Sequence, residues 1–150
     1  MPKIDVRNLL IEQSVDYPLP FKKAVEGNAR KRLGRAAGLT QFGVNICTLK
    51  PGADLIAAAR KTKSILFMCS RRGGLCEDNG KTVRKAGETA VWKAGVPNSH
   101  CLIDRGKLNA IFIEIGSCAP TERAYHSDID MMVVYDDVDS RYMRKDGTPY

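Results

Sequence analysis

The stretch Gly87–Asp104, GETAVWKAGVPNSHCLID, decides the fold class of this chain. It begins with a short apolar run, Ala90–Trp92, of the kind that favours a half-buried strand. The segment Ala94–Ser99 follows, and its glycine, proline, asparagine and serine favour a tight loop. His100 then opens a second apolar run, Cys101–Ile103. The stretch therefore predicts two strands joined by a tight loop.

Short strands separated by turns continue on both sides of this stretch. Phe42–Leu49 alternates in the manner of a strand and is closed by Pro51 and Gly52. Leu108–Ile115 is apolar on both faces, which predicts an interior strand. Asp78-Asn79-Gly80 favours a type I′ hairpin turn, and Met131–Tyr135 is the last predicted strand. Turns at intervals of about ten residues are typical of a β-sandwich or barrel, so the fold class is all-β.

His100 has two interpretations from the residues alone. A histidine at the mouth of a strand can point into a barrel interior, where a neutral imidazole binds iron, zinc, nickel or copper. The residues alone favour the other interpretation, a half-buried structural histidine. A zinc site from Cys69, Cys76, His100 and Cys101 is a further alternative, although no C-x-x-C pair supports it.

His126 is the other histidine, and it lies close to Asp128 and Asp130. This grouping could indicate a metal site. The alternative is a surface loop in which the carboxylates cap backbone N–H groups.

Length and composition favour one domain. The chain has 150 residues, of which 43% are hydrophobic, and this is enough for a single buried core. It has no apolar run near the roughly 20 residues that a membrane helix needs, and its start lacks the apolar core of a signal peptide. Five cysteines at irregular spacing favour reduced thiols over a disulfide framework. We therefore expect a cytoplasmic protein with no membrane partner.

The net charge of +7 is concentrated rather than spread. The segment between Asp54 and Cys76 holds five basic residues and one acidic residue. The basic residues are not interleaved with the several aromatic residues that stack on single-stranded nucleic acid. We therefore interpret them as a solvated face and expect no nucleic-acid partner.

The opening stretch also resembles the second conserved motif of the cupins, small double-stranded β-helix proteins. In that motif a glycine, an acidic residue, a Pro-x-Gly turn, a histidine and a later asparagine follow in order. The matching residues are Gly87, Glu88, Gly95, His100 and, in the asparagine place, Asp104. Lys93 stands where the motif has its proline. The resemblance implies a jelly-roll barrel with an extended N-terminal arm.

The flanking segments look like those of a bacterial branch of single-domain cupins, whose members are labelled cupin-domain proteins or sugar-phosphate isomerases. The segments that carry this likeness are 17–21, 38–45, 49–52 and 145–150. The likeness covers most of the chain except roughly residues 54–76. It implies one domain, with an arm at 1–37, a barrel at about 38–135 and a tail at 136–150.

By the same resemblance, a first metal motif with two histidines and a glutamate should follow Gly52. No histidine and no acidic residue lies between Asp54 and Glu77. One hypothesis is that this segment is an out-of-frame reading, because Ser64–Arg71 in a shifted frame can encode a cupin-like strand. The alternative is an authentic, diverged segment with its basic residues in solvent. Because buried unpaired charges are costly, we expect residues 54–76 to be irregular, exposed or poorly ordered.

The functional expectation follows from this gap. The resemblance implies a divalent metal, a small polar metabolite and a sugar-phosphate isomerase-like reaction, and only His100 of the ligand set is retained. One histidine does not make a metal site, so we expect no metal cofactor and no activity with this sequence; a restored first motif would bring back the ion. The alternative is a metal-free cupin that binds a ligand or forms a homodimer without catalysis. Trp92 and Asp104 are candidate ligand-pocket residues beside His100.

Overall fold

The computed structural model describes residues 3–13, 17–19, 21–56, 59–71, 73–77, 80–136 and 139–150. Its described part is nearly all β, with one short helix, α1 (Leu33–Ala36), and short 3-10 turns at Val6–Asn8 and Phe21–Val25. The strands are β1 (Glu12–Gln13), β2 (Asn28–Arg32), β3 (Phe42–Leu49), β4 (Asp54–Ile56), β5 (Ala59–Arg60), β6 (Ile65–Arg71), β7 (Gly73–Glu77), β8 (Gly80–Arg84), β9 (Thr89–Trp92), β10 (His100–Ile103), β11 (Ala110–Ser117), β12 (Glu122–Tyr125), β13 (Met132–Tyr135) and β14 (Ser140–Met143). No helix in these ranges is long and apolar enough to cross a membrane.

The largest sheet has six strands in the order β1-β2-β3-β11-β6-β9, and all its pairings are antiparallel. Strands β3 and β11 pair over eight residues, from Ala110 opposite Leu49 to Ser117 opposite Phe42. The predicted bounds of β3 are confirmed, and β11 is a central strand as predicted. Leu108, which the prediction included in that strand, is instead an exposed loop residue.

A second sheet has the order β4-β10-β7-β8, and it packs against the first. Leu102 of β10 belongs to the same buried cluster as Leu49, Phe67 and Phe112 of the six-stranded sheet. The strands β7 and β8 form the predicted hairpin, with Glu77 opposite Gly80. The predicted turn residues 78 and 79 lie outside the described residues.

A third sheet has the order β14-β13-β12-β5 and its own apolar cluster. Ala124, Met131 and Val133 are buried there, and Tyr17 and Phe21 from the N-terminal part pack against them. The tail predicted at 136–150 therefore extends a sheet, because β14 pairs with β13 over four residues. The predicted arm also contains a sheet strand, since β2 pairs with β3. The sheets thus take in residues on both sides of the expected barrel at 38–135.

The expectation that residues 54–76 are irregular or exposed is wrong for the strands that the structure describes. Four strands, β4 to β7, lie within or overlap this segment, and β6 sits between β11 and β9 in the six-stranded sheet. Ile65, Phe67 and Cys69 alternate toward the core and are buried. The period-2 spacing of these apolar side chains is sufficient to form an inner strand. This outcome counts against the frame-shift hypothesis, which predicted poor order here.

The described strands form three separate sheets and no closed barrel. The arrangement is consistent with a jelly roll, in which facing antiparallel sheets enclose a core. What matters for function is the space between the sheets.

Candidate ligand-binding cavity

His100 begins β10 and is packed into the core rather than held in an open site. It is only 3% exposed. Its ring stacks on Trp92, with ring centroids 3.8 Å apart and planes at 16°. Phe67 meets the same ring edge-on at 5.6 Å. These aromatic contacts fix the imidazole between strands of two sheets.

The described side chains around His100 do not make up a set of metal ligands. No group of three His, Cys, Asp or Glu side chains comes together anywhere in the part of the chain that the structure describes. The Sγ of Cys69 contacts the carbonyl of Arg84, and that of Cys101 the carbonyl of Leu102. A zinc or similar ion normally takes three or more protein ligands. The side chains of Cys76 and Glu77, whose backbones pair with Cys101 and His100, lie outside the described residues.

Asp104 is a buried turn residue in this structure. Its Oδ1 accepts a hydrogen bond from the N–H of Gly106 at 2.8 Å, and its Oδ2 accepts one from Ala110 at 3.0 Å. These bonds close the loop between β10 and β11. Neither Asp104 nor Trp92 is among the described residues that line the cavity considered below.

His126 is also buried, beside Tyr17 at the third sheet's apolar cluster, and no group of metal ligands forms around it among the described residues. The ring of Tyr17 meets the His126 ring edge-on, with centroids 6.1 Å apart. The backbone N–H of His126 donates a hydrogen bond to the carbonyl of Met131. Asp130, one of its predicted companions, accepts a hydrogen bond from the backbone of Lys145. Burial lowers the pKa of His126 to about 4, although Asp128 opposes the shift. The capping-loop interpretation therefore describes Asp130 better than the metal interpretation.

A polar cavity of about 360 Å³ lies elsewhere, between the six-stranded sheet and the third sheet. Strand β2 contributes Arg30 and Arg32, β5 contributes Arg60, and β11 contributes Glu114. Lys63 completes the charged part of the described lining. Four basic side chains thus surround one carboxylate.

The position of these side chains follows from strand register. Arg30 lies opposite Cys47, and Phe112 lies opposite Cys47 on the other side of β3. Side chains directly opposite each other share a face, and that face alternates along each strand. Glu114, two residues beyond Phe112, therefore lies on the core-facing side. One end of this face is filled by apolar side chains and the other end is polar.

Glu114 is the electrostatic centre of the cavity and is only 8% exposed. Its Oε2 accepts hydrogen bonds from the Cys47 thiol and the Asn45 amide, each at 3.2 Å, and lies 3.9 Å from Arg30. Burial alone would raise the pKa of this carboxyl, but the charges of Arg30 and Arg60 outweigh it and the net pKa is lowered. Burial has the largest effect on the Cys47 thiol and raises its pKa, and the negative charge of Glu114 raises that pKa further. The cavity wall therefore carries a carboxylate, and the Cys47 thiol behind it, in the apolar cluster, is neutral.

Glu122 holds the loop that carries the basic side chains. It is buried, and its Oε1 accepts hydrogen bonds from the N–H groups of Lys61 and Thr62, each at 3.0 Å, and of Arg123 at 2.8 Å. A carboxylate that accepts several backbone N–H groups fixes their positions. Arg60 and Lys63 flank this anchored segment.

Comparison with known proteins identifies the family. No family model and no curated protein matches the sequence. A solved structure of a sugar phosphate isomerase from a cupin superfamily, from Silicibacter pomeroyi, is 36% identical with a TM-score of 0.95, and the match covers 99% of this chain and 96% of that chain. This chain belongs to the cupin superfamily.

Two more distant structures share the cupin fold. A proposed sugar phosphate isomerase from Acidithiobacillus ferrooxidans has a TM-score of 0.75 at 15% identity, covering 86% of this chain and 82% of that chain. A cupin 2 conserved barrel domain protein from Salinispora arenicola has a TM-score of 0.55 at 15% identity, covering 79% of this chain and 88% of that chain. At this identity the likeness shows the fold alone.

Sequence reasoning located His100 in this cupin but missed the cavity. The sequence pattern places Glu114 in an apolar strand and predicts a solvated face for the basic residues. The single charged residue among the alternating positions of β11 was the available signal, because a carboxylate on a core-facing position needs partners. Those partners, Arg30 and Arg60, come from distant strands.

Proposed function

We propose that this cupin binds a small polar metabolite in the cavity between its sheets, without a divalent ion at His100. The observation that carries the proposal is the cavity of about 360 Å³, with basic side chains around a buried carboxylate. Ligand pockets typically have volumes of about 300–1,000 Å³ and a few convergent polar groups. The relative from Silicibacter pomeroyi, described as a sugar phosphate isomerase, is consistent with a ligand of this size and polarity.

The proposal includes the absence of isomerase activity of the metal-dependent kind. Such a reaction would use an ion to polarise a carbonyl oxygen, and this chain offers His100 without further ligands in the segment expected to supply them. The aromatic packing of His100 supports a structural role for this residue.

The test combines metal analysis with ligand-induced stabilisation. We expect purified wild-type protein to contain well below one equivalent of any transition metal, and His100→Gln to leave that content unchanged. We also expect the unfolding temperature to rise with a panel of polar metabolites and to stay constant with added zinc or manganese. One equivalent of metal that His100→Gln removes would refute the metal-free part of the proposal. A panel that never shifts the unfolding temperature would refute ligand binding.

A homodimer is the second candidate, and the sheet edges favour it. Strand β9 ends the six-stranded sheet and β8 ends the second sheet. Their side chains Val91 and Val83 are 60% and 57% exposed. Edge strands with exposed apolar side chains favour pairing with another chain. Light scattering after size exclusion should give a dimer mass for wild type and a monomer mass for Val91→Lys; a wild-type monomer would contradict this.

A further inference from the structure

We propose that Arg30 and Arg60 form an anion-binding end of the cavity, and that Glu114 accepts a hydrogen bond from a hydroxyl group of the same ligand. The ligand class is then a small anion, phosphate or carboxylate, that carries at least one hydroxyl. This inference rests on the proposed function, because it assigns the recognition chemistry of the same cavity.

The basic side chains of the cavity differ in how well they are already paired. Arg32 makes an ion pair with Glu12, so its charge is partly compensated. Arg30 is 3.9 Å from the Glu114 carboxylate, which is beyond hydrogen-bond distance. No ion pair of Arg60 or Lys63 occurs among the residues that the structure describes; Lys63 lies 6.0 Å above the ring of Tyr135. The cavity therefore contains more positive charge than its own carboxylate compensates.

Arg30 and Arg60 are the residues best placed to use this excess. Both are partly buried and line the cavity from different sheets, Arg30 on β2 and Arg60 on β5. Both act on the charge of Glu114. A guanidinium away from bulk water favours an oxyanion partner, because its planar donors match carboxylate and phosphate geometry. An anion between the two sheets would complete this arrangement.

Glu114 supplies the second half of the recognition. Its Oε2 already accepts hydrogen bonds from the Cys47 thiol and the Asn45 amide. Its Oε1 accepts no hydrogen bond from any described residue. Glu114 lines the cavity, so a ligand hydroxyl can supply the donor that this oxygen lacks. It repels an anionic group but accepts an O–H, so a ligand must present its charge to the arginines and a hydroxyl to Glu114. A bare anion satisfies only half of the site.

The experiment measures the dissociation constants of four probes by calorimetry: glucose 6-phosphate, gluconate, inorganic phosphate and neutral glucose. We expect glucose to bind at least tenfold more weakly than the tighter of the two hydroxylated anions. The phosphate and carboxylate probes distinguish the two sources of the anion. Arg60→Gln and Arg30→Gln should each raise the dissociation constant of whichever hydroxylated anion binds more tightly by about tenfold or more. Arg123→Gln, an exposed arginine of the adjacent strand β12, is the matched control and should leave its affinity unchanged.

Glu114→Gln separates the two halves of the site. Removing the negative charge should strengthen the binding of inorganic phosphate. Loss of the strong acceptor should reduce the ratio of the phosphate dissociation constant to that of the hydroxylated anions by at least fivefold. An unchanged ratio overturns the role of Glu114. Arginine variants that bind like Arg123→Gln, with unfolding temperatures near that of wild type, overturn the anion site. Tight binding of glucose refutes this inference but keeps the proposed function, whereas no binding by any probe refutes both.

Discussion

At the scale of single residues, three buried carboxylates have different surroundings. Asp104 and Glu122 each accept backbone N–H groups and hold loops in place. Glu114 instead accepts hydrogen bonds from side chains and lines the cavity. The first two stabilise the frame, and the third is available for a ligand. Substitution should therefore act directly on stability at Asp104 and Glu122, with any effect on binding following from the loops they hold, and directly on binding at Glu114.

Glu122→Ala should lower the free energy of unfolding by about 3 kcal/mol. The change removes one acceptor shared by three backbone N–H groups, and a hydrogen bond to a charged group contributes about 1.5–3 kcal/mol. Urea denaturation measures the loss. Because Glu122 anchors the loop between Arg60 and Lys63, ligand affinity should fall as well.

The control for Glu122 is Glu88→Ala. Glu88 is exposed, and its carboxylate accepts one hydrogen bond, from the N–H of Lys85. We expect a loss below about 1 kcal/mol, since an exposed group exchanges its bond with water. Similar losses in the two variants would mean that Glu122 does not anchor the loop.

The sequence could locate some of these residues and not others. His100 and Asp104 follow a recognisable loop, so their places at the two ends of a strand are readable from turn chemistry. Glu114 and Asn45 meet only through strand pairing across 69 residues of chain. Single-sequence patterns carry the period of a strand but not the identity of its partner. The cavity was therefore beyond sequence analysis, although its carboxylate was visible.

At the scale of elements, alternating apolar side chains are enough to make β6 an inner strand, although the segment around it is strongly basic. The segment around it is rich in Arg and Lys and lacks the expected metal motif, and these features predicted disorder. Ile65, Phe67 and Cys69 nevertheless place three side chains on one face, which is buried in the same cluster as Leu102 of the second sheet. Similarly, β3 was predicted with the correct bounds, but its pattern did not reveal that Cys47 and Leu49 face inward.

Phe67→Ala tests whether β6 is an inner strand. Phe67 is buried and meets Trp92 edge-on at 5.7 Å, so truncation removes contacts with both sheets' aromatic side chains. Large-to-small changes of a buried phenylalanine typically cost about 3–5 kcal/mol, and we expect a loss in this range by urea denaturation. Ser70→Ala, on the same strand but exposed, should change stability by less than about 0.5 kcal/mol. A Phe67 loss as small as this would favour the irregular, out-of-frame interpretation.

At the scale of the whole molecule, the third sheet joins distant parts of the chain. Tyr17 contacts both His126 and Tyr142, with ring centroids 6.1 Å and 5.4 Å apart. Phe21 contacts Tyr150 at 5.6 Å. The same sheet contributes Arg60 and Tyr135 to the cavity. Loosening of this cluster should therefore change both stability and ligand binding.

His126 makes that cluster sensitive to acid. Its folded-state pKa is about 4, below the unfolded value of 6.5, because burial disfavours the imidazolium; Asp128 opposes the shift, whereas Arg60 and Lys145 add to it. The unfolded chain then binds the proton more readily. The stabilisation that comes from keeping His126 neutral is complete above about pH 6.5 and is lost as the pH falls toward 4. The resulting loss in the free energy of unfolding is at most about 3 kcal/mol.

The pH dependence can be assigned to His126 by comparing wild type with His126→Phe. Urea denaturation at intervals between pH 7.5 and 4 should show a falling free energy of unfolding for wild type and a flatter curve for the variant. His100 and the carboxylates are common to both proteins, so they contribute to both curves and cancel in the difference. Phenylalanine keeps a ring against Tyr17 without a titratable group, which preserves the packing. Parallel curves would place the acid sensitivity elsewhere. A wild-type curve that falls below that of the variant as the pH drops under 6.5 would mean that protonation of one buried imidazole loosens the sheet that carries Arg60.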